Sequence, residues 1–385
     1  MNSNDQLFET PFGDYSLQRF PPATGKSPLR AWDAADQYLL QQLSEQPMAD
    51  TDRLLLLNDQ FGALGLALHP WQPQSSGDSF LSQQACRNNL QFNNLSADSL
   101  TQLDSLSAPE GPFDVVLIKI PKTLALLEDQ LYRLRPHLTE TTRILAAAMA
   151  RDIHTSTLQL FERIIGPTKT SLARKKARLI FCHPQAAQLD GACATDSPYP
   201  SEYTLPETGW HLSNHANVFS QAKLDIGTRF FMEHIDKLPA AEQIIDLGCG
   251  NGLLGLLAAE RQPEARIAFY DESHMALASA QENCRHILAN PSRASFHLDN
   301  ALASADSNSA NLILNNPPFH QKNVVGDHIA WQMFKDAKRV LQADGELWVI
   351  GNRHLQYHAK LKKLFGNCQT AASNNKFVLL VSRKR

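Results

Sequence analysis

The chain has 385 residues, 43% hydrophobic and 19% charged, with a formal net charge of −3, a composition that excludes a disordered or fibrous protein and at this length calls for about two cores. No run approaches the roughly 18 apolar residues of a membrane helix, and the start Met1 to Asp5 lacks the basic-then-apolar pattern of a signal peptide, so a cytoplasmic location is expected. Cys86, Cys182, Cys193, Cys249, Cys284 and Cys368 form no CxxC pair, which speaks against zinc and disulfides, and no metal is expected.

In chain order, the first half offers a strand at Leu54 to Leu57 followed by Gly62 and Gly65, then Gly77-Asp78-Ser79. A second apolar run, Phe113 to Ile118, leads to Pro121, and after it come strand-like Thr142 to Ala148, helix-like Thr155 to Ile165 and strand-like Ala177 to Phe181. A breaker-rich stretch, His183 to Gly209, holds Pro184, Gly191, Pro198, Pro200 and Pro206 and marks a boundary. Beyond it, strand-like runs at Gln243 to Leu247, Ile267 to Tyr270, Ser295 to Leu298, Leu312 to Leu314, Glu346 to Ile350 and Phe377 to Val381 alternate with helical patterns.

The second half repeats the first in order and spacing. The expected fold is therefore α/β: two tandem, duplicated Rossmann-like domains, each a doubly wound, mostly parallel sheet, at residues 1–188 and 210–385, with 189–209 as linker and start of the second domain.

After the strand ending at Leu247 comes Gly248-Cys249-Gly250-Asn251-Gly252, then an apolar helix. Such a turn brings bare backbone and free N–H groups to a ligand. A dinucleotide fingerprint would need glycine at position 253, which is Leu253, and would gain nothing from Asp246. A carboxylate there suits a ligand carrying ammonium and sulfonium charges, which points to S-adenosylmethionine. Asp271, with Glu272 beside it, ends the next strand, where a carboxylate accepts ribose hydroxyls, and Asn300 follows the third, within reach of an adenine edge.

Asn316-Pro317-Pro318-Phe319 closes the fourth strand of this half. The Asn316 side-chain oxygen and the Pro317 carbonyl can accept hydrogen bonds from a planar amine and stabilise charge as its nitrogen attacks a methyl group. The prolines fix the backbone, and Phe319 offers a face for an extruded base. From the residues alone the amine could belong to an RNA guanine, a DNA adenine or a protein glutamine, and a non-catalytic RNA-binding or assembly factor that keeps the fold is the alternative of another class.

In the first half, Asn58-Asp59-Gln60-Phe61-Gly62 stands for the glycine turn and Lys119-Ile120-Pro121-Lys122 for the proline motif. A domain without a cofactor site is expected there, serving recognition or stability. Arg151, Lys169, Arg174, Lys175, Lys176 and Arg178 are its candidate phosphate contacts.

The segments His215-Ala216-Asn217-Val218-Phe219-Ser220, Leu224-Asp225-Ile226-Gly227, Asn316 to His320 and Asn352-Arg353-His354-Leu355 resemble the class I ribosomal RNA guanine-N2 methyltransferases. The runs Leu17 to Pro21, Ala31 to Asp36, Lys122 to Leu127 and Ala150 to Thr155 resemble the members that modify the large subunit, so the resemblance covers nearly the whole chain. It implies methylation of one guanine N2 in 23S ribosomal RNA, with the 16S enzymes as runner-up. It also implies that Phe219 and Asp225 cover the methionine end of S-adenosylmethionine; the sequence does not give the oligomeric state, and a monomer is the expectation. Position 300, acidic in the family, is Asn300 here.

Overall fold

Strands covered on both faces are apolar at every position rather than at alternate ones, and each half of the chain is built around such a run. In the computed structural model, which describes residues 6–22, 29–219, 224–318 and 324–385, the run Leu54–Leu57 is buried at all four positions and Gln243–Leu247 at its last four. The chain divides into two compact units, Met1–Tyr199 and Pro200–Arg385.

The first unit opens with an antiparallel hairpin, β1 (Leu7–Thr10) and β2 (Gly13–Ser16). Its seven-stranded sheet comprises β3 (Leu54–Leu57), β4 (Gln74–Gly77), β5 (Thr101–Asp104), β6 (Val115–Lys119), β7 (Arg143–Met149), β8 (Thr168–Thr170) and β9 (Ala177–Cys182), in the order β5-β4-β3-β6-β7-β9-β8. The connecting helices are α1 (Ala34–Glu45), α2 (Ala63–Ala67), α3 (Phe80–Phe92), α4 (Leu124–Leu134) and α5 (Thr155–Ile164), with a short α6 (Ala186–Leu189) after the sheet. Strands β3 to β7 pair in parallel, and β9 runs antiparallel to both β7 and β8.

The second unit reproduces this plan. A hairpin, β10 (Ser201–Leu205) and β11 (Trp210–Asn214), precedes the strands β12 (Gln243–Leu247), β13 (Arg266–Asp271), β14 (Ala294–Leu298), β15 (Ala310–Asn315), β16 (Leu341–Asn352), β17 (Gln369–Ser373) and β18 (Phe377–Arg383). Their order, β14-β13-β12-β15-β16-β18-β17, matches that of the first sheet position for position. Helices α7 (Ile226–Met232), α8 (Leu253–Arg261), α9 (His274–Ile287), α10 (Val324–Val340) and α11 (Tyr357–Phe365) cover it. The fold is thus two tandem Rossmann-like α/β units, as the repeated pattern predicts.

Both hairpins are additions to the elements expected from the sequence, and β10 lies within the stretch expected as linker. Asparagines on or at the end of a sheet-covering helix of the same unit hold each hairpin or the chain beside it. In the first unit, Asn93, at the end of α3, accepts from the Ser16 N–H and donates to the Ser16 carbonyl, both at 2.8 Å. Asn89 of α3 accepts from the Gln18 N–H at 2.9 Å and donates to the Gln18 and Phe61 carbonyls at 2.9 and 2.8 Å. In the second, Asn283 of α9 accepts from the Ser213 N–H at 2.7 Å and donates to the Ser213 and Asn251 carbonyls, both at 3.0 Å.

In the second sheet the chain moves from β12 out to β13 and β14, then returns to the other side of β12 as β15. At such a switch point the loops on either side part and leave a crevice at the carboxyl ends of the strands, where ligands bind in this class of sheet. Asp271 ends β13, and the loops after β12, β14 and β15 carry Gly248, Asn300 and Asn316.

Candidate active site

The turn leaving β12 takes left-handed φ at Gly248, Gly250 and Gly252, 71°, 55° and 83°, a region that glycine enters without steric cost. A Cβ on Gly252 would press on Ala280 at 3.0 Å, whereas one on Gly250 would meet nothing within 4 Å. Gly250 therefore offers bare backbone to open space. The turn is held from behind: the Gly248 and Cys249 N–H groups donate to the Tyr270 carbonyl at 2.8 and 3.0 Å, and Asn251 Nδ2 donates to Asn214 Oδ1 at 2.9 Å. Cys249 is buried, and burial pushes its thiol well above the ordinary range. The side chains of Cys249 and Asn251 thus shape the turn, leaving its backbone to face a ligand.

Asp246 is 1% exposed, and its Oδ2 accepts from the Gly255 N–H at 2.8 Å. Burial, reinforced by the nearby charge of Asp271, raises its carboxyl to about 8 against the pull of the Gly255 bond. Its bond is thus to the first turn of α8. Asp271 reaches the turn itself, Oδ2 accepting from the Gly250 N–H and Oδ1 from the Ser273 N–H, both at 3.0 Å; Glu272 follows it, half-buried. Asn300 is half-buried as well, and its N–H donates to Asp299 Oδ1 at 2.7 Å. Asp299, which no sequence motif marks, is the carboxylate that shapes this loop, its Oδ2 also accepting from the Ser304 N–H at 2.8 Å.

The Asn-Pro-Pro segment emerges beside the glycine turn because β15 pairs with β12, Asn315 opposite Leu247. Asn315 ties the two loops together, donating to the Leu247 carbonyl at 2.8 Å. Asn316 Nδ2 donates to Thr228 Oγ1 at 3.0 Å. Its Oδ1 is buried and has no hydrogen-bond partner among the described residues. Leaving a buried acceptor unpaired costs about 1–3 kcal/mol, a cost consistent with a site whose donor arrives with a substrate. Pro317 is buried and Pro318 exposed; Phe319 and His320 lie outside the described residues. Asp225 caps α7, its Oδ2 accepting from the Thr228 N–H at 3.0 Å. Phe219, 65% exposed, stands on the turn after β11.

The equivalent corner of the first unit is filled by its own side chains. Ile118 lies opposite Leu57 as Asn315 lies opposite Leu247, so Lys119 takes the place of Asn316, Asn58 that of Gly248, and Gly77 that of Asp271. Lys119 Nζ sits 2.8 Å from Asp33 Oδ1 and 2.7 Å from Asp36 Oδ1. Burial alone would lower the Lys119 pKa, but the two carboxylates hold it above the ordinary lysine value. Asn58 Nδ2 donates to the Lys119 carbonyl at 3.0 Å and to Gln130 Oε1 at 2.9 Å. Asp59 Oδ2 accepts from the Gly65 N–H at 2.7 Å, the bond that Asp246 makes to Gly255, and burial raises it to about 6.

Of the candidate phosphate contacts, three share one hairpin end. Arg174 and Ala177 exchange backbone hydrogen bonds of 2.8 and 2.9 Å, leaving Lys175 and Lys176 as a two-residue turn with φ of 48° and 67°, as in the primed hairpin turns. Arg174, Lys175 and Lys176 are exposed, together with Leu172 at 88%. Arg151 is exposed next to them, since the Ala150 N–H donates to the Lys176 carbonyl at 2.7 Å. Lys169 lies exposed on the edge strand β8, and Arg178 is half-buried. Among the described residues, no helix is long and apolar enough to cross a membrane, and no three His, Cys, Asp or Glu side chains gather as metal ligands.

Residues 5–186 match the family model described as the RLMG N-terminal domain, and residues 209–381 match the methyltransferase small domain. Among solved structures, a T. thermophilus 16S rRNA guanine-N2 methyltransferase (RsmC), in complex with AdoMet and guanosine, aligns with 100% of this chain and 99% of its own at a TM-score of 0.74 and 17% identity. An O-methyltransferase family protein from Burkholderia thailandensis aligns with 41% of this chain and 56% of its own, at a TM-score of 0.33 and 14% identity.

Proposed function

We propose that this chain, an RLMG-type N-terminal domain joined to a methyltransferase small domain, is an S-adenosylmethionine-dependent methyltransferase that modifies the N2 amine of one guanine in 23S ribosomal RNA. The observation that carries the reading is the buried Oδ1 of Asn316, without a hydrogen-bond partner among the described residues, one strand away from a glycine turn in which a Cβ on Gly250 would meet nothing within 4 Å.

When bound, S-adenosylmethionine supplies an electrophilic methyl group on a sulfonium. The residues around the turn fit it: Gly250 leaves room for a ligand, Asp271, held against the turn by the Gly250 N–H, would accept from ribose hydroxyls, and Asp246 would supply a second carboxyl. Asn300 lies on the loop expected at the adenine. Asn316 Oδ1 and the Pro317 carbonyl accept the two N–H groups of the guanine amine, draw its lone pair out of conjugation, and stabilise positive charge as the new bond forms. The rigid proline pair holds these acceptors before the substrate arrives. The methylated amine then loses a proton to water, so no strong base is required of the chain. Phe319 is proposed to stack on the base.

In the first unit Lys119, its two aspartates and Asn58 occupy the corresponding corner, and Gly77 replaces the ribose carboxylate; this supports a recognition domain that holds no cofactor. Its hairpin end, with Arg151, Arg174, Lys175 and Lys176, is the proposed phosphate-binding surface, with Lys169 and Arg178 along the neighbouring strands.

The runs Leu17 to Pro21, Ala31 to Asp36, Lys122 to Leu127 and Ala150 to Thr155, which resemble the members that modify the large subunit, favour 23S RNA. The end-to-end structural likeness to a 16S enzyme favours the alternative, the small subunit. Mass spectrometry of nucleosides from the two ribosomal RNAs, with and without the gene, decides. Loss of one N2-methylguanine from 23S RNA is expected; loss from 16S RNA would replace the substrate, and no loss from either would reject the proposal.

A further inference from the structure

We propose that Thr228 and Asp225 are positioning residues that determine which end of the Asn316 amide faces the substrate; this rests on the reading of Asn316 as the acceptor of the guanine amine. An asparagine amide has a donor end and an acceptor end of nearly the same shape. Turned the wrong way, Asn316 would set N–H against the N–H of the incoming amine, and its contribution would become repulsive.

The contact that selects the end is Asn316 Nδ2 to Thr228 Oγ1, 3.0 Å. A hydroxyl can donate or accept, so Thr228 by itself would tolerate either amide orientation. Its proton is claimed by Asp225. That carboxylate oxygen, Oδ2, lies 3.4 Å from Thr228 Oγ1 and 3.0 Å from the Thr228 N–H, accepting from both. With its proton directed to Asp225, Thr228 has only lone pairs left for Asn316. This selects Nδ2 and turns Oδ1 into the site, where it is buried without a partner among the described residues. The polarity runs one way, from amide to hydroxyl to carboxylate.

The first unit supplies an independent observation. Asp33 caps α1 as Asp225 caps α7, and Asp36 stands three residues on, as Thr228 does. The residue in the place of Asn316 is Lys119, which donates to both. In each unit the chain at the end of the fourth strand donates and the start of the helix accepts, although only the second unit keeps the amide. The corner's polarity is thus a property of the fold that the second unit uses to orient an acceptor.

The test compares Thr228→Val, which keeps the shape and removes the hydroxyl, with Thr228→Ser, which restores it. Methyl transfer to ribosomal RNA from cells lacking the gene is followed with kcat and KM separated, alongside S-adenosylmethionine affinity by calorimetry and the melting temperature. Thr228→Val is expected to lower kcat by about 10- to 100-fold, the scale of a misplaced catalytic group, with KM, cofactor affinity and melting temperature like the parent's, and Thr228→Ser to recover most of kcat. Parental kcat in Thr228→Val overturns the inference. So does Thr228→Ser as slow as Thr228→Val, or a kcat loss matched by losses of cofactor affinity and stability, the mark of a packing residue. Asn316→Ala in the same assay separates the two levels. If it is inactive while Thr228→Val is fully active, only this inference falls; if it is active, the reading of Asn316 falls with it.

Discussion

Replacing Lys119 with methionine probes the corner that fills the first unit. The lysine side chain is 11% exposed and that of Asp36 7%, while that of Asp33 is 49% exposed, so water screens Asp33 and the loss falls on Asp36. Burial already raises the Asp36 carboxyl despite the lysine beside it. Without the lysine, Asp36 escapes the cost of a bare buried charge only by taking up a proton. About three pH units separate its ordinary value of 3.8 from neutrality, and at about 1.36 kcal/mol per unit that costs about 4 kcal/mol, within the ~3–5 kcal/mol found when one partner of a buried pair is removed. For a unit of this size the loss lowers the melting temperature by roughly 6–20 °C. Scanning calorimetry of the full chain should show the first unit's transition displaced by that amount at pH 7, and far less near pH 4, close to the ordinary carboxyl value, where taking up the proton costs little. Replacing Asp36 with leucine in the same chain should return the transition close to that of the parent. A Lys119→Met protein that melts like the parent at pH 7 would refute the argument that this pair supports the unit.

Two further predictions concern the site and the surface. With the Asp246 carboxyl raised to about 8, the ligand-free protein holds it neutral below that pH, and a cationic ligand must draw a proton off. Affinity for S-adenosylmethionine should therefore rise by up to about tenfold per pH unit from 6 to 8 and then level off. Calorimetry in two buffers of different ionisation heat should detect the released proton at pH 7, and Asp246→Asn should remove it; parent protein that releases none would contradict the assignment. The same raised value means that the Asp246 contribution to stability is fully present below about pH 4 and is lost as the pH climbs through 8. Changing Arg174, Lys175 and Lys176 together to alanine should weaken RNA binding and flatten its dependence on log salt by about 0.7–0.9 for each phosphate that is no longer neutralised; an unchanged slope would move the RNA surface elsewhere.

The features that carry over from sequence to structure are those encoded locally. Leu54 to Leu57 and Ile244 to Leu247 announce themselves as doubly covered strands by having no polar position before the strand end, Asp246 aside, and Gly248, Gly250 and Gly252 announce a left-handed turn because few other residues enter that conformation at low cost. The repeat is legible because each copy keeps the same spacing between its strands and glycines. What stays hidden depends on partners distant in the chain. The β10–β11 hairpin has no apolar run, two of the three buried residues that end β11 being the polar Ser213 and Asn214, and Ser213 finds Asn283 70 residues away. The bond from Asn316 to Thr228 spans 88 residues. Its only local signal is Asp225 three residues before Thr228, the spacing of a helix cap. The loss of the proline motif at Lys119 is plain in the sequence, but the capping box of Asp33 and Asp36 gives no sign that the lysine closes onto it. Asn300 stands where a ligand contact is expected, whereas the neighbouring Asp299, which sets the loop's shape, gives no signal because its bonds are to the backbone of Asn300 and to the backbone and hydroxyl of Ser304, within the loop it folds.

A crystal structure with S-adenosylmethionine and guanosine bound would measure the decisive geometry. The account predicts the cofactor in the second unit, its methyl carbon about 3–3.5 Å from the guanine N2, and that nitrogen within hydrogen-bonding distance of Asn316 Oδ1. A sulfonium held in the first unit, or a guanine amine turned away from Asn316, would contradict it.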